Sequence, residues 1–331
     1  MLPALVFGGL LVAASDSTVV LQLDDPRITE SSGLAVSSLH DGVLYTHNDS
    51  GDEPRLFAVG PDGRTRATLR LPEASAVDWE DLAAGSDNTL WVADIGDNGG
   101  VREEVVVYRM PEPPQLVDAD LPSTAYRFRY PDGPHDAEGL LVHPRTGRVM
   151  VVTKELLGAG VYAAPARLPE GRAAVLRRVA DAPAGVTGAA YAQDGATFVL
   201  RDYRSASVWA APDEQVGRVA LPAQQQGESV TYAADGRALL VSSEGTSQPV
   251  WRVPLPAALR PAATGSSAPA PPAATPGAMS AAPRDSADRG SAPRSGGGLT
   301  AATLAVALAV LALGGWVIRW AVARRRGRYS R

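Results

Sequence analysis

The sequence contains no cysteine, which excludes a disulfide framework, a thiolate nucleophile and a cysteine-ligated metal. It contains a single lysine, Lys154, so nearly all of its positive charge is arginine. Positive charge is concentrated at one end of the chain, where residues 299–331 hold six arginines and no acid. The rest of the chain carries a net charge of −11 and shows no basic stripe. A body this acidic is not expected to bind nucleic acid.

Familiar catalytic motifs are absent as well. There is no nucleophile elbow, no phosphate-binding loop of the P-loop type and no dinucleotide fingerprint. The segment GDNGGVREE at 96–104 is glycine-rich, but it joins two predicted strands and does not open a helix. The sequence therefore indicates no nucleotide or organic cofactor.

The two ends of the chain predict its topology. Residues 1–14 are apolar and end in small residues, which favours a signal peptide, with a buried N-terminal strand as the alternative. Residues 299–318 are uncharged and long enough to span a bilayer, and the basic tail 319–331 is expected to stay in the cytoplasm. Residues 260–298, rich in Ala, Pro, Ser and Gly, predict a disordered linker. We therefore expect a single-pass membrane protein with an extracellular N-terminal domain.

That domain, residues 17–256, is a series of related units. Segments with the same order of residue types recur: an acid, then a small or polar residue, then an apolar run. The steps between equivalent positions are 48, 58, 49 and 41 residues. Each is followed by further short apolar runs separated by Gly, Asp or Pro, and no helical stripe appears. The recurring segments are SSGLAVS (31–37), WEDLAAG (79–85), AEGLLVH (137–143), VTGAAYA (186–192) and GESVTYA (227–233).

Four short strands per unit at a period of about 40–50 residues predict an all-β fold, a β-propeller with four-stranded blades. The last unit lacks a fourth strand, and Ser17–Asp25 is an unpaired strand. Placing this N-terminal strand in the last blade closes a ring of five blades. Six blades is the alternative, because the second unit is long enough to hold additional strands.

The segments ITESSGLA, HNDSGD, DWEDLA, WVADIGDN and DAEGLL resemble a family of bacterial secreted or surface-anchored β-propellers of WD40-like type. More distantly, the chain resembles the propeller phytases and esterase-like phytase domains. In those relatives, acidic residues at the tops of the blades hold calcium, so the resemblance implies a calcium site here. We carry over no catalytic residue.

Acidic residues recur at the starts of first strands and the ends of second strands. Since these strands pair antiparallel, both places lie on the same rim of the propeller. Such a ring of carboxylates needs a bound cation, paired basic residues or hydrogen-bond donors, and Ca²⁺ prefers six to eight oxygen ligands. The predicted metal ligands are Asp49, Asp94, Asp97, Glu80, Glu138 and Glu228.

Two alternatives to a metal remain open. Individual Asp residues in such contexts often cap turns. Glu80, Glu138 and Glu228 would instead lock the blades together if they accepted hydrogen bonds from the backbone of neighbouring blades.

The same rim carries candidate ligand-binding residues. Cationic Lys154 and Arg201 stand next to acids and would attract an anionic ligand, with pairing inside the chain as the alternative. His47 and His135 are candidates for a general base or a metal ligand, with a structural role as the alternative. The predicted ligand-binding set is Lys154, Arg201, Glu155, Asp202 and Glu244.

The preferred hypothesis is a membrane-anchored propeller that binds a small-molecule, cell-wall or protein ligand, with or without Ca²⁺, at this acidic mouth. The alternatives are a metal-dependent hydrolase of phosphoesterase or lactonase type, and a protein-interaction scaffold without a metal. The fold by itself does not choose among them, so the sequence leaves open whether the protein is an enzyme.

Overall fold

The computed structural model describes residues 11–12 and 16–261, and its strands form five sheets. The innermost strands of these sheets contact each other in sequence, and the innermost strand of the fifth sheet contacts that of the first. This closed ring is a five-bladed β-propeller, as the sequence predicts.

Numbered along the chain, the strands assort into consecutive blades. Blades 1 and 2 contain β3 (Ser31–Val36), β4 (Leu44–Asn48), β5 (Arg55–Val59), β6 (Thr65–Arg70), β7 (Trp79–Gly85), β8 (Thr89–Asp94), β9 (Val105–Pro111) and β11 (Thr124–Arg129). Blades 3 and 4 contain β12 (Ala137–Val142), β13 (Val149–Thr153), β14 (Gly160–Ala163), β16 (Arg177–Asp181), β17 (Gly188–Tyr191), β18 (Phe198–Arg201), β19 (Ser205–Ala211) and β20 (Glu214–Ala220). Blade 5 contains β21 (Gly227–Tyr232), β22 (Ala238–Ser243), β23 (Pro249–Pro254) and β2 (Thr18–Gln22).

The N-terminal strand closes the ring. β2 pairs antiparallel with β23, so the two ends of the described chain share one blade. This confirms the predicted closure.

Short additional strands explain the extra length of the second unit. Three two-residue strands pair in parallel with outer strands of blades 4, 1 and 2: β1 (Leu11–Val12), β10 (Ala119–Asp120) and β15 (Ala174–Val175). The insertion after β9 therefore extends blade 1 and does not form a sixth blade.

Both faces of each sheet are buried, because blades stack face to face around the ring. Neighbouring residues on one strand point to opposite faces. In β12, Leu140 packs into the core between blades 2 and 3, whereas Leu141 packs into the core between blades 3 and 4. Five such cores, one between each pair of neighbouring blades, make up the interior.

The predicted membrane anchor and tail lie outside the described residues, as does nearly all of the linker and most of the predicted signal peptide. The chain divides into two units, Met1–Ser267 and Ala268–Arg331, of which the second is wholly undescribed. The one helical element within residues 11–12 and 16–261 is a 3₁₀ turn, Ala257–Leu259, and no helix there has the length and apolar character to cross a bilayer.

Candidate functional site

The channel mouth is formed where the first strand of each blade begins and the second strand ends. The strand registers place these points opposite each other in all five blades, with the pairs Ser31↔Asn48, Trp79↔Asp94, Ala137↔Thr153, Gly188↔Arg201 and Gly227↔Ser243. Residues at the start of one strand and the end of the next therefore share one rim.

β-Bulges aim the glutamates of the inner strands into the channel. The pairing of β7 with β8 shifts between Trp79 and Asp81, so Glu80 is the additional residue of the bulge. The same shift occurs around Glu138 in β12 and around Glu228 in β21. Bulges commonly re-aim a side chain next to a functional site, and all three glutamates are buried at the mouth.

Three carboxylates from two blades come together here. Asp49 follows β4 of blade 1, whereas Asp78 precedes β7 of blade 2 and Glu80 lies within it. One oxygen from each of the three lies within 4.8 Å of the other two. We call Asp49, Asp78 and Glu80 the carboxylate triad. It is the one group of at least three potential metal ligands found among the described residues.

Burial and mutual repulsion disfavour the charged forms of these acids. Burial, together with the charges of Asp78 and Glu228, raises the pKa of Asp49 to about 8. Burial and the neighbouring carboxylates, Glu138 foremost, raise the pKa of Glu80 well above its usual range. A bound cation would relieve the repulsion.

The space around the triad is kept open by a glycine. A β-carbon on Gly96 would overlap the carboxylates of Glu80 and Asp78. Oδ1 of Asp49 is buried and accepts no hydrogen bond from the described residues. The site is therefore a set of convergent oxygens in which Asp49 keeps an acceptor unused by the described residues, and hard oxygen ligands of this kind suit Ca²⁺.

Lys154 lies across the mouth. Its ammonium group pairs with Oε1 of Glu138 and lies 5.4 Å from the ring centroid of Tyr203. Burial would lower the pKa of Lys154, but the charge of Glu138, the neighbouring Tyr203 and Glu228, and the hydrogen bond with Glu138 together outweigh that effect and raise it. Burial likewise raises the pKa of Glu138 well above its usual range, against the lowering effect of Lys154. Oε2 of Glu138 has no hydrogen-bond partner among the described residues.

A pair of glutamates lies on the blade 5 side. Glu228 accepts a hydrogen bond from Gln226 at 3.1 Å. Burial, the charge of Glu228 and a hydrogen bond with it raise the pKa of Glu244 to about 11. Burial and Glu228 thus favour the neutral form of the Glu244 carboxyl group, next to a site crowded with carboxylates.

Asp81 joins neighbouring blades, a role that the sequence left open for the glutamate set; of that set, Glu228 accepts a hydrogen bond from the hydroxyl of Ser32 in blade 1 at 3.5 Å. Oδ1 of Asp81 accepts a hydrogen bond from the amide of Leu82 at 2.8 Å. Its Oδ2 accepts from the amides of Leu140 at 2.8 Å and Ala189 at 3.0 Å, in blades 3 and 4. Burial raises the pKa of Asp81 well above its usual range, while these three donors lower it. One fully buried carboxylate thus joins the inner strands of three blades.

Asp94 and Asp97, both predicted metal ligands, do not belong to the triad. Asp94 pairs with Arg102 at 2.8 Å and accepts hydrogen bonds from the amides preceding β7. Asp97 accepts from the amides of Val101 and Arg102, so it caps its own loop. The contacts of Asp97 match the turn-capping alternative, whereas those of Asp94 join Arg102 to the loop before β7, and a metal-binding role for either residue stays a prediction.

The two candidate histidines lie in different surroundings. His47 is fully buried with its ring edge against Trp79, and burial lowers its pKa to about 4. His135 lies between two carboxylates, with Nδ1 2.6 Å from Glu155 and Nε2 3.0 Å from Asp132. Burial would lower the pKa of His135, but the hydrogen bonds with Glu155 and Asp132 outweigh that effect and raise it. His47 is closed off from solvent, whereas His135 links two rim loops, and a role of either residue as a base or a metal ligand stays a prediction.

Arg201 and Asp202 are occupied within the fold. Arg201 is fully buried and donates to the carbonyls of Ser229 and Ser242 in blade 5, and burial lowers its pKa to about 10. Asp202 accepts from the amides of Arg204 and Ser205 and pairs with Arg218. Of the predicted ligand-binding set, Lys154 and Glu244 face the crowded carboxylates of the mouth.

Sequence reasoning missed Tyr203 and the bulges. A tyrosine after a strand end carries no signal of its own, and a bulge is visible only in the pairing register. Asp78 stands in the sequence as one acid of the ring, and only the structure brings it next to Asp49.

Comparisons with known proteins add little here. No family model matches the chain, and no curated protein matches it. Among solved structures, the chain is similar to a gluconolactonase from Xanthomonas campestris, with 16% identity, 70% of this chain and 88% of that chain covered, and a TM-score of 0.41. It is similar to a PQQ-bound aldose sugar dehydrogenase from Streptomyces coelicolor, with 13% identity, coverage of 72% and 98%, and a TM-score of 0.41. It is also similar to a glutaminyl cyclase from Myxococcus xanthus, with 10% identity, coverage of 71% and 95%, and a TM-score of 0.45. Likeness at this level carries no argument about function, which has to be argued from the mouth itself.

Proposed function

We propose that the protein is a cell-surface β-propeller that binds a divalent cation, Ca²⁺ foremost, at the carboxylate triad and a ligand at the surrounding mouth. The observation that carries the proposal is the convergence of Asp49, Asp78 and Glu80 from two blades within 4.8 Å. The anchor predicted at 299–318 supports the location outside the cell, where Ca²⁺ concentrations suit weak oxygen-rich sites.

The chemistry of the triad favours a cation over the alternatives. Acids that only cap turns or lock blades have their oxygens filled by amide donors, as Asp97 and Asp81 do. Asp49 keeps an oxygen without a donor from the described residues, and Gly96 leaves room beside Glu80 and Asp78. Three convergent carboxylates, one of which keeps a buried oxygen without a donor from the described residues, are stabilised most simply by a hard cation.

The test is thermal unfolding of the full-length chain with Ca²⁺ and with a chelator. At a Ca²⁺ concentration of about 100 times Kd, binding stabilises the fold by about 2.7 kcal/mol. For a domain of this size that raises Tm by roughly 5–10 °C. Glu80→Gln should abolish the shift. The matched control is Glu53→Gln, whose side chain lies on a rim loop of blade 1 and is 70% exposed.

An equal Tm with Ca²⁺ and with chelator would reject the cation site and favour a scaffold without a metal. An equal shift in wild type and Glu80→Gln would place the ion elsewhere.

A metal-dependent hydrolase is the second candidate, and Glu244 is the observation that favours it. Burial and Glu228 favour the neutral form of its carboxyl group, the form in which a carboxylic acid gives a proton to a leaving group. A divalent ion, when bound, supplies a polarised substrate oxygen and a hydroxide at neutral pH. Lys154 would hold an anionic part of the substrate.

Release of product from simple lactones and phosphate esters tests this candidate. Glu244→Gln should reduce the rate by about 10²–10⁴-fold without changing Ca²⁺ stabilisation. No turnover by the wild type, or full turnover by the variant, would reject the hydrolase.

A further inference from the structure

Exposed apolar side chains lie beside the mouth. Eleven large hydrophobic residues are exposed in the described part of the chain, and five of them lie on the loops at this rim. Leu157 is 91% exposed and Val101 is 77% exposed. The five, which we call the apolar collar, are Val77, Val101, Leu156, Leu157 and Tyr203.

The collar is one-sided. Its residues come from loops that lead into or belong to blades 2, 3 and 4. The corresponding loops of blades 1 and 5, residues 49–54 and 244–248, have the sequences DSGDEP and EGTSQ and carry no large apolar residue. Exposed apolar residues grouped on one side of a channel mouth mark an interaction surface more often than residues scattered singly do.

Inside the collar lies an acidic group with an unused acceptor. Glu138 is only 4% exposed, its Oε1 is paired with Lys154, and its Oε2 has no hydrogen-bond partner within residues 11–12 and 16–261. A buried carboxylate oxygen left without a donor is costly, and a charged N–H donor satisfies it best. The carboxyl groups of Glu80 and Glu228 lie close enough to Glu138 to interact with it electrostatically.

We infer that the mouth docks a segment of a partner polypeptide that inserts a lysine or arginine side chain towards Oε2 of Glu138 and lays aliphatic neighbours on the apolar collar. Interface centres of this kind commonly combine a basic side chain with packed apolar contacts. The inference rests on the proposed function, because both place a ligand at the same mouth. The two use different residues: the peptide contacts Glu138 and the apolar collar, and the ion binds to the carboxylate triad.

The chemistry argues against two other occupants. A small amine would satisfy Glu138 but leave most of a collar spread over the loops of three blades uncovered. A bilayer would accept the aliphatic side chains, but anionic headgroups would be repelled by the ring of carboxylates.

The experiment measures binding of defined peptides to the full-length chain by fluorescence polarisation, with a chelator present. The probe is a labelled Gly-Leu-Leu-Arg-Leu-Leu-Gly peptide, and the comparison peptides replace Arg by Glu or all Leu by Ser. We expect each replacement to weaken binding at least about tenfold.

The variants Glu138→Gln and Leu157→Ser should each weaken binding of the probe about tenfold. Leu157→Ser changes only a side chain that is 91% exposed, so the fold is unaffected. The matched control is Leu39→Ser on the opposite rim, where Leu39 is 41% exposed, and it should leave the affinity unchanged.

Four results would overturn the inference: no binding of the probe up to about 1 mM, equal binding of the three peptides, an equal loss in Leu39→Ser, or tighter binding of n-octylamine or of phosphatidylcholine vesicles than of the probe. Loss of Ca²⁺ stabilisation with peptide binding intact would count against the proposed cation site alone. Retained Ca²⁺ stabilisation without peptide binding would count against this inference alone.

Discussion

Replacing Asp81 by alanine should remove the acceptor that joins the inner strands of blades 2, 3 and 4. The amides of Leu82, Leu140 and Ala189 would lose their partner in a fully buried place. A buried donor left unsatisfied costs about 1–3 kcal/mol. Removing a buried charge offsets part of that cost. We therefore expect the free energy of unfolding to fall by about 3–6 kcal/mol, a large share of the stability of an ordinary domain.

Asparagine at the same position separates hydrogen bonding from packing. Its amide oxygen can serve Leu140 and Ala189 as Oδ2 of Asp81 does, but its NH₂ group then faces the amide of Leu82. One bond is lost and two donors oppose each other, so Asp81→Asn should cost about 1–3 kcal/mol. The order wild type, Asn, Ala in stability is the signature of an acceptor role.

Urea unfolding of the three proteins measures this series. The matched control is Asp41→Ala, an exposed aspartate on the opposite rim, which should change stability by no more than about 0.5 kcal/mol. Native-state hydrogen exchange should show faster exchange at the amide of Leu82 in both Asp81 variants, and at the amides of Leu140 and Ala189 in Asp81→Ala. The reasoning would be refuted if Asp81→Ala were as stable as Asp41→Ala.

Three other predictions follow from the mouth and its support. Gly96→Ala should abolish the stabilisation by Ca²⁺, because the new β-carbon overlaps two triad carboxylates. The control Gly99→Ala, in the same loop, places a β-carbon 3.7 Å from a side chain and should retain the stabilisation. Equal Tm shifts in the two variants would contradict this prediction. The pKa of His135 is raised in the folded state, so its pairing with two carboxylates stabilises the fold fully below the unfolded pKa of about 6.5. This stabilisation is lost as the pH rises through the folded pKa. His135→Gln should therefore destabilise the fold by about 1 kcal/mol or less at about pH 5.5 and by nothing near pH 9. An equal urea midpoint difference at both pH values would argue against this. Arg201→Met should lower the free energy of unfolding by about 3 kcal/mol, because buried carbonyls of blade 5 lose their donor. The control Arg177→Met changes an exposed arginine and should leave stability unchanged. Similar urea curves for the two variants would show that Arg201 does not stabilise the contact with blade 5.

The sequence predicts the blades because a strand buried on both faces leaves a plain pattern. Runs such as VMVVT and ALLVSS are short, apolar and bounded by turn residues, and both form second strands of blades. The closing strand is predictable because the last unit lacks a fourth strand and Ser17–Asp25 has no other partner. Since the first and second strands of each blade pair antiparallel, the acids at their start and end are predicted to lie on one rim from the sequence alone.

The candidate site is only partly predictable, for a physical reason. Two adjacent acids in DWED, Glu80 and Asp81, have opposite fates, because a bulge turns one into the channel and leaves the other among three backbone donors. Residue type and spacing do not reveal a bulge. The partners of Asp94 and Arg201 likewise depend on loop paths and on a neighbouring blade, which no local pattern encodes.

The central claim is that the carboxylate triad binds a divalent cation, and anomalous diffraction from crystals of the protein grown with a Ca²⁺ substitute such as Tb³⁺ tests it most directly. The account predicts one dominant peak at the channel mouth, about 2.3–2.6 Å from oxygens of Asp49, Asp78 and Glu80. A mouth without a peak, or a dominant peak away from these three side chains, would contradict it.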